Sequence, residues 1–376
     1  MTTPASSAGR LPTIVIDLEK LRHLNSGLGR FALHLGRELT TVAAGRFNPV
    51  LFLPPGGARH FDDRSYVVKP VFRWQKESFQ RKFRPFVRPF LRRSGVSLWH
   101  TTNQLSRYLP LDDRVPVLLT IHDLNFLHEA RQGRPAEWID RRLADVQARV
   151  DRAEAITAVS SFVADDVRRH VNLRGKPIHV VHNGISPAPA ASTARPAFLP
   201  EGPFLFTVGN CLAHKNFHVL IDLLELLPGR RLVIAGAKAT PYGRLLENRI
   251  RERRIADRAI MPGEISDGDR QWLYEHCEAF LFPSLAEGFG FPVLEAMQCG
   301  KPVFMSRRTS LPEIGGTCGF YFDSDDGHHM AEVFAAGVAR FRSDATFPDR
   351  CRRQAESFTW RTAAEKYADV YAAICR

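Results

Sequence analysis

No stretch of the 376-residue sequence approaches the ~20 consecutive apolar residues that cross a bilayer. Residues 1–9 are small and polar, without the charged-then-apolar profile of a secretory leader, so a cytoplasmic location is expected. Cysteine is sparse. The six (Cys211, Cys277, Cys299, Cys318, Cys351 and Cys375) form no Cys-x-x-Cys pair and no zinc-like spacing with histidine, which predicts reduced, packing thiols. Gly (26) and Pro (25) recur without a period, and 44% hydrophobic with 24% charged residues is ordinary globular composition, so collagen-like and disordered classes are out. Acids are the minority charge. Forty Asp and Glu against 52 Lys and Arg leave +12, which calls for an anionic partner: nucleic acid, a phospholipid surface or a phosphorylated small molecule.

What is present is alternation. Short β-branched or apolar runs (13–17, 50–53, 97–100, 117–121, 155–159, 179–181) are separated by amphipathic stretches such as 30–40 and 136–152, with apolar spacing near 3.6. Residues 188–203, crowded with Pro, Ala and Ser, read as a linker. The βα alternation then restarts (204–208, 231–235, 259–261, 279–282, 302–305). The fold class expected is α/β: two doubly wound, Rossmann-like domains, 1–187 and 204–358, facing one another across a cleft. The last helix, about 359–376, is a candidate to pack back on the first domain.

The segment around Gly288-Phe-Gly-Phe-Pro292 carries the strongest chemical signal. A strand ends at Phe282, a glycine loop follows, and Pro292 suits the first turn of a helix. Free N–H groups from Gly288, Phe289, Gly290 and Phe291 then lie ahead of a helix dipole, an arrangement suited to anions and hydroxyls. Glu287 stands in the loop and Glu295 in the first helical turn. One carboxylate can meet a reacting group while the other accepts from a diol such as ribose. The bland alternative for Glu295 is a favourable charge at a helix N-terminus, worth ~0.3–1 kcal/mol.

With Glu287 and Glu295 in a Glu-x7-Glu motif, the chain resembles the retaining GT-B glycosyltransferases of family 4, which use nucleotide sugars. Asn183-Gly-Ile185, Val208-Gly209 with Lys215-Asn216, Gly300-Lys-Pro-Val303 and Pro312-Glu-Ile-Gly315 follow in the family's order. The resemblance implies that Lys215 neutralises the donor's diphosphate, that Glu295 holds the ribose hydroxyls, and that Glu287 sits near the transferred sugar. It places the base against backbone near Gly263 and Ile265. It also implies a donor contact for His122, which ends a buried strand beside Asp123, and His100 is read as similarly placed on the acceptor side. No metal or other cofactor is implied, because Lys215 and helix dipoles can take up the diphosphate charge. Where the family carries an arginine after the Val-Gly, this chain has Asn210. Either Asn210 donates a neutral hydrogen bond or a cation such as His214 or Arg307 compensates.

Gly27, Gly29 and Ala32 match the spacing G-x-G-x-x-A, but residues 18–26 intervene after the first strand and the next strand runs into Pro54 rather than an acid, so a dinucleotide turn is disfavoured. In the family this loop meets donor phosphate and acceptor, which suits Gly27, Gly29 and Arg30. Between Lys69 and Arg93, nine basic residues, among them Arg81, Lys82, Arg84 and Arg88, alternate with aromatics against one acid, Glu77. That mixture fits the interface of an anionic membrane; a solvated basic face and a nucleic-acid surface are the alternatives, and no nucleic-acid recognition motif accompanies it. The expectation is a hexosyltransferase acting from a GDP-mannose-like or UDP-sugar donor on a lipid-linked or polysaccharide glycan, peripheral on the inner face of the membrane. The alternatives are a nucleotide-sugar epimerase or phosphorylase of the same architecture, or a non-catalytic membrane-associated subunit.

Overall fold

The computed structural model describes residues 10–24, 26–61, 66–70, 76, 80, 82–83, 86, 95–127 and 135–376. Arg81, Arg84 and Arg88 lie outside the described residues. Lys82, Phe83 and Phe86 lie within them and are exposed.

The first sheet contains β1 (Thr13–Asp17), β2 (Asn48–Leu53), β3 (Val67–Pro70), β4 (Leu98–Thr101), β5 (Val117–Ile121), β6 (Ala155–Ala158) and β7 (Ile178–Val180), in the order β3-β2-β1-β4-β5-β6-β7. The second contains β8 (Phe204–Val208), β9 (Arg231–Ala235), β10 (Ala259–Gly263), β11 (Ala279–Phe282), β12 (Val303–Ser306) and β13 (Gly319–Phe322), ordered β10-β9-β8-β11-β12-β13. Every pairing is parallel. The central strands are fully buried, as a sheet covered on both faces requires: β5 has five buried residues in a row, and β11 four in four. In each sheet the order reverses beside its first strand, at β1/β4 and at β8/β11. Such a reversal opens a crevice at the strands' carboxyl ends.

Helix α1 (Gly27–Val42) begins where Ser26 accepts a hydrogen bond from Gly29 N at 3.1 Å. Helices α2 (Ala136–Arg152) and α3 (Ser161–His170) complete the first half's long helices among the described residues. The second half carries α4 (His218–Glu225), α5 (Pro241–Glu252), α6 (Asp267–His276), α7 (Phe291–Gln298), α8 (Leu311–Gly315), α9 (Gly327–Ser343) and α10 (Phe347–Glu356). The final helix α11 (Trp360–Ile374) lies against α1. Its Trp360, Ala364, Tyr367, Ala368 and Tyr371 follow helical spacing and join the core formed by Phe31, Leu35 and Leu39 of α1. Residues 186–203 have no regular helix or strand; Ser192 N bonds Gly268 O at 3.0 Å, which ties the segment to the second half.

Candidate active site

The carboxyl ends of both sheets face a shared cavity of about 780 Å³. From the first half it is lined by Gly27, Arg30, His122, Asp123 and Asn183, and from the second by Asn210, Lys215, Ile265, Arg270, Glu287 and Glu295, together with the loop 288–292. The loop crosses the cleft. Gly288 O accepts from Ser160 Oγ at 2.8 Å, and a Cβ on Gly288 would lie 1.9 Å from His122 O, so only glycine permits this approach. Glu313 of α8 makes a second crossing: it accepts from Ser161 N (2.9 Å), at the start of α3, and from His182 Nε2 (2.5 Å). These bonds hold the Glu313 carboxyl at about 2, outweighing the opposite push of its burial.

Lys215 and Glu287 are the central pair. Nζ lies 2.5 Å from Oε1, both side chains are mostly buried, and Ser284 Oγ donates to the same oxygen at 2.6 Å. The Lys215 ammonium also stands 5.2 Å from the Phe282 ring centroid. Thr309 and Ser310 fasten the loop, the first accepting from Glu287 N (3.1 Å), the second donating to Glu287 O (3.0 Å) and Phe289 O (2.9 Å). Glu295 accepts from Arg30 Nη1 at 3.0 Å and from Tyr274 O–H at 2.8 Å, with Arg270 Nε 4.0 Å away. Both its oxygens are therefore occupied by protein groups here.

Two family descriptions match in tandem and account for nearly the whole chain: Glycosyltransferase Family 4 over residues 25–188, and Glycosyl transferases group 1 over residues 192–358. The chain belongs to the family 4 glycosyltransferases. Among curated relatives, the O-antigen chain mannosyltransferase B of Escherichia coli is 26% identical over 67% of this chain and 69% of its own length. The serotype-specific mannosyltransferase WbdA of E. coli is 27% identical over 70% of this chain, which spans only 34% of that protein. Sucrose-phosphate synthase from Thermosynechococcus elongatus superposes with a TM-score of 0.71 at 19% identity, covering 96% of this chain and 98% of that one. The Anabaena protein Alr3699/HepE, solved in complex with UDP and glucose, gives 0.69 at 17% identity, covering 97% and 100%. The shared architecture is GT-B.

Several family positions fall differently from their sequence reading. His100 is not on the cleft. It is fully buried, with Nδ1 2.6 Å from Tyr371 O–H and Nε2 2.8 Å from Thr120 Oγ1, and burial pushes it down to about 3. The returning helix α11 claims it as a neutral core residue. His122 does line the cavity. Its Nε2 is 2.8 Å from Thr102 O and so carries the proton, leaving Nδ1 as an acceptor; burial holds it at about 4, hence neutral. Asp123 beside it is pushed up by burial, with the Glu287 carboxylate adding to the effect.

Neither candidate replacement for the family arginine serves as a cation here. His214 is neutral, lowered to about 4 by burial, and Arg307 bonds Asp323 at 2.5 Å away from the cavity. The additional guanidiniums that line the cleft are Arg30 and Arg270, both salt-bridged to Asp267 (3.5 and 2.9 Å). Arg270 has no motif around it; only the fold of α6 brings it to the site. Asn210 is exposed at the rim, Ile265 lines the wall, and Gly263, which precedes it, is buried at the end of β10. Among the described residues no group of three His, Cys, Asp or Glu side chains could hold a metal ion, and no helix is long and apolar enough to cross a membrane.

Proposed function

We propose that this glycosyltransferase moves a hexosyl group from a nucleoside diphosphate to a hydroxyl of a lipid-linked or polysaccharide glycan, with retention at the anomeric carbon. One observation carries the reading: an amine, Lys215, is held in a mostly buried pair at the mouth of a glycine loop that runs into α7. When a donor enters, its diphosphate replaces Glu287 as the partner of Nζ, and charge growing on the leaving oxygen meets both the ammonium and the N-terminal dipole of α7. The glycosidic C–O bond to the diphosphate breaks as the acceptor oxygen bonds the same face of the carbon. The acceptor's proton passes to the departing diphosphate. No protein base is required, and His122, pushed down by burial to about 4, would be only a weak one. Glu287, released from Lys215, is free to receive a sugar hydroxyl.

Glu295 serves the ribose hydroxyls once Arg30 lets go of it, and Arg30 is then placed to meet the phosphates. A metal is unnecessary in this scheme, since Lys215, Arg30 and Arg270 supply positive charge on their own. Mannosyltransferase relatives favour a GDP-mannose-like donor, and the UDP complex of a structural neighbour favours a UDP-sugar. The basic, aromatic 69–93 segment supports work at an anionic membrane surface on the cytoplasmic side, and the exposed Phe83 and Phe86 fit that setting.

The test is thermal denaturation against a panel of nucleoside diphosphates and their sugars, followed by product analysis with a labelled donor. A ligand present at ~100 times its Kd adds ~2.7 kcal/mol to the native state, a rise of several degrees. Stabilisation by one base and its sugar, with transfer of label to a glycan bearing the same anomeric configuration, supports the reading. No stabilisation across the panel overturns it.

A further inference from the structure

Helix α3 opens with backbone N–H groups that have no partner inside the helix, and they are met from both halves. Ser160, its own cap, accepts from Val163 N at 3.2 Å. Ser161 N and Phe162 N instead reach Glu313 of the second half, at 2.9 Å to Oε1 and 3.3 Å to Oε2. His182 Nε2 adds a bond to Oε1 at 2.5 Å. A carboxylate before free N–H groups at the positive end of a helix is a strong, charge-assisted contact. Glu313 rides on α8, whose Leu311 and Ile314 are fully buried and whose Ile314 O accepts from Gln354 Nε2 at 2.9 Å. Just before α8, Thr309 accepts from Glu287 N, and Ser310 donates to Glu287 O and Phe289 O. Thr309 has a φ of 55°, a left-handed conformation rare for a β-branched residue, and strain of this kind clusters where function demands it. The short helix is thus a strut. It is docked on the first half at Glu313 and tied at its other end to the loop that carries Glu287.

We infer that Glu313 is a positioning residue for glycosyl transfer: it seats the second half on the start of α3 and, through α8, sets the Glu287 loop against His122 of the first half. The inference rests on the reading that a nucleotide sugar reacts in this cleft. Glu313 does not line the cavity, so it acts without touching the donor. Ser161 is exposed, so water can take the place of the carboxylate when the halves part, and the contact can be made and broken in each cycle. The groups proposed to hold the nucleotide, Glu295, Lys215 and the backbone near Ile265, all belong to the second half and do not depend on the docking. Glu313 therefore governs the fraction of donor-bound chain that is closed and competent, which bears on turnover more than on nucleotide affinity.

The experiment is release of nucleoside diphosphate from GDP-mannose and UDP-glucose, with water in place of a glycan acceptor, by the full chain, Glu313→Ala, Ser161→Pro and the double variant. Thermal denaturation is the folding control, and small-angle X-ray scattering reads closure. Ser161 is the first residue of α3 and follows an extended Ser160, a place that accepts proline, so Ser161→Pro deletes one N–H from the opposite half and spares the helix. Glu313→Ala is expected to lower kcat about tenfold, as loss of a charge-assisted bond from a closing equilibrium does, and Ser161→Pro about threefold. Nucleoside diphosphate affinity should change less than about twofold and the radius of gyration should rise. The double variant should be no slower than Glu313→Ala, because both changes remove the same contact. Unchanged kcat in a folded Glu313→Ala, losses that multiply to about thirtyfold in the double variant, or an unchanged radius in both single variants overturn the proposal. Should Glu313→Ala fail to fold, Ser161→Pro decides alone, and full turnover there has the same consequence. Absence of binding of both sugar nucleotides to the unaltered chain instead brings down the donor reading on which the proposal stands.

Discussion

The two halves share a strand order yet treat their crevices in opposite ways. At the first, β1 ends in Asp17, fully buried, whose carboxylate accepts from Ser106 Oγ (2.5 Å) and Glu19 N (3.1 Å), while the Thr102 hydroxyl donates to its carbonyl. The chain's own side chains close that reversal point. At the second, β8 runs out into Val208 and Gly209, both lining the cavity, and Lys215 and Glu287 converge opposite. A doubly wound sheet offers a crevice wherever its order reverses. Whether that crevice binds anything is decided by the few residues just beyond the strands.

The strongest way to break this contrast is to take the charge from the open crevice. Lys215→Met should lower turnover by ~10²–10³, the loss typical when one charge-stabilising donor is removed. It also leaves Glu287 mostly buried without its cation, a destabilisation of roughly 3 kcal/mol. Those two effects separate in the double variant Lys215→Met/Glu287→Gln, where the carboxylate is gone as well. Its urea midpoint should return towards that of the unaltered chain while turnover stays lost. Recovery of turnover together with stability would falsify the diphosphate role of Lys215.

A smaller effect is expected where the halves meet. Gly288→Ala sets a methyl where His122 O now lies 1.9 Å from the added carbon, so the loop or the first half must withdraw. Overpacking of this kind costs ~1–3 kcal/mol, and here it falls on closure of the cleft. Sugar-nucleotide affinity should drop about tenfold, with a modest fall in the thermal midpoint. Unchanged affinity would mean that the cleft closes without this contact.

Most of the architecture is legible in the sequence, because fully buried parallel strands show as apolar runs that punctuation cannot hide. Two strands are not. β3 is an edge strand with Val67 and Val68 exposed, inside a segment whose charge pattern masks its pairing, and β13 is a four-residue Gly-Phe-Tyr-Phe between a short helix and a loop. At the site, Glu287, Glu295 and Lys215 can be read from motif and spacing, since a glycine loop entering a helix at Pro292 is a local pattern. His100 and His122 look alike in sequence, each ending a strand. Their fates diverge because α11, some 260 residues downstream of His100, brings Tyr371 onto one and leaves the other facing the cleft. Arg270 is equally non-local: only packing brings it to the site.

The smallest effect tests the closed crevice. Burial raises the Asp17 carboxyl to about 6 from 3.8, so between those values the folded chain holds a proton that the unfolded chain has released. Stability from this group is therefore full below about pH 4, falls as pH rises through 6, and stays reduced above it, at ~1.4 kcal/mol per unit of difference. Asp17→Asn is neutral throughout and escapes that loss, but it gives up part of the hydrogen bonding to Ser106 and Glu19, worth ~1 kcal/mol per bond. The variant should thus be about 1 kcal/mol more stable than the unaltered chain at pH 7.5 and no more stable at pH 4, as judged by urea midpoints. Other titrating groups are common to both chains and drop out of the difference. Because Asp17 does not line the cavity, nucleotide-sugar affinity should be unaltered in the variant. A difference independent of pH would show that Asp17 is ionised in the fold, and that this crevice is open to water after all.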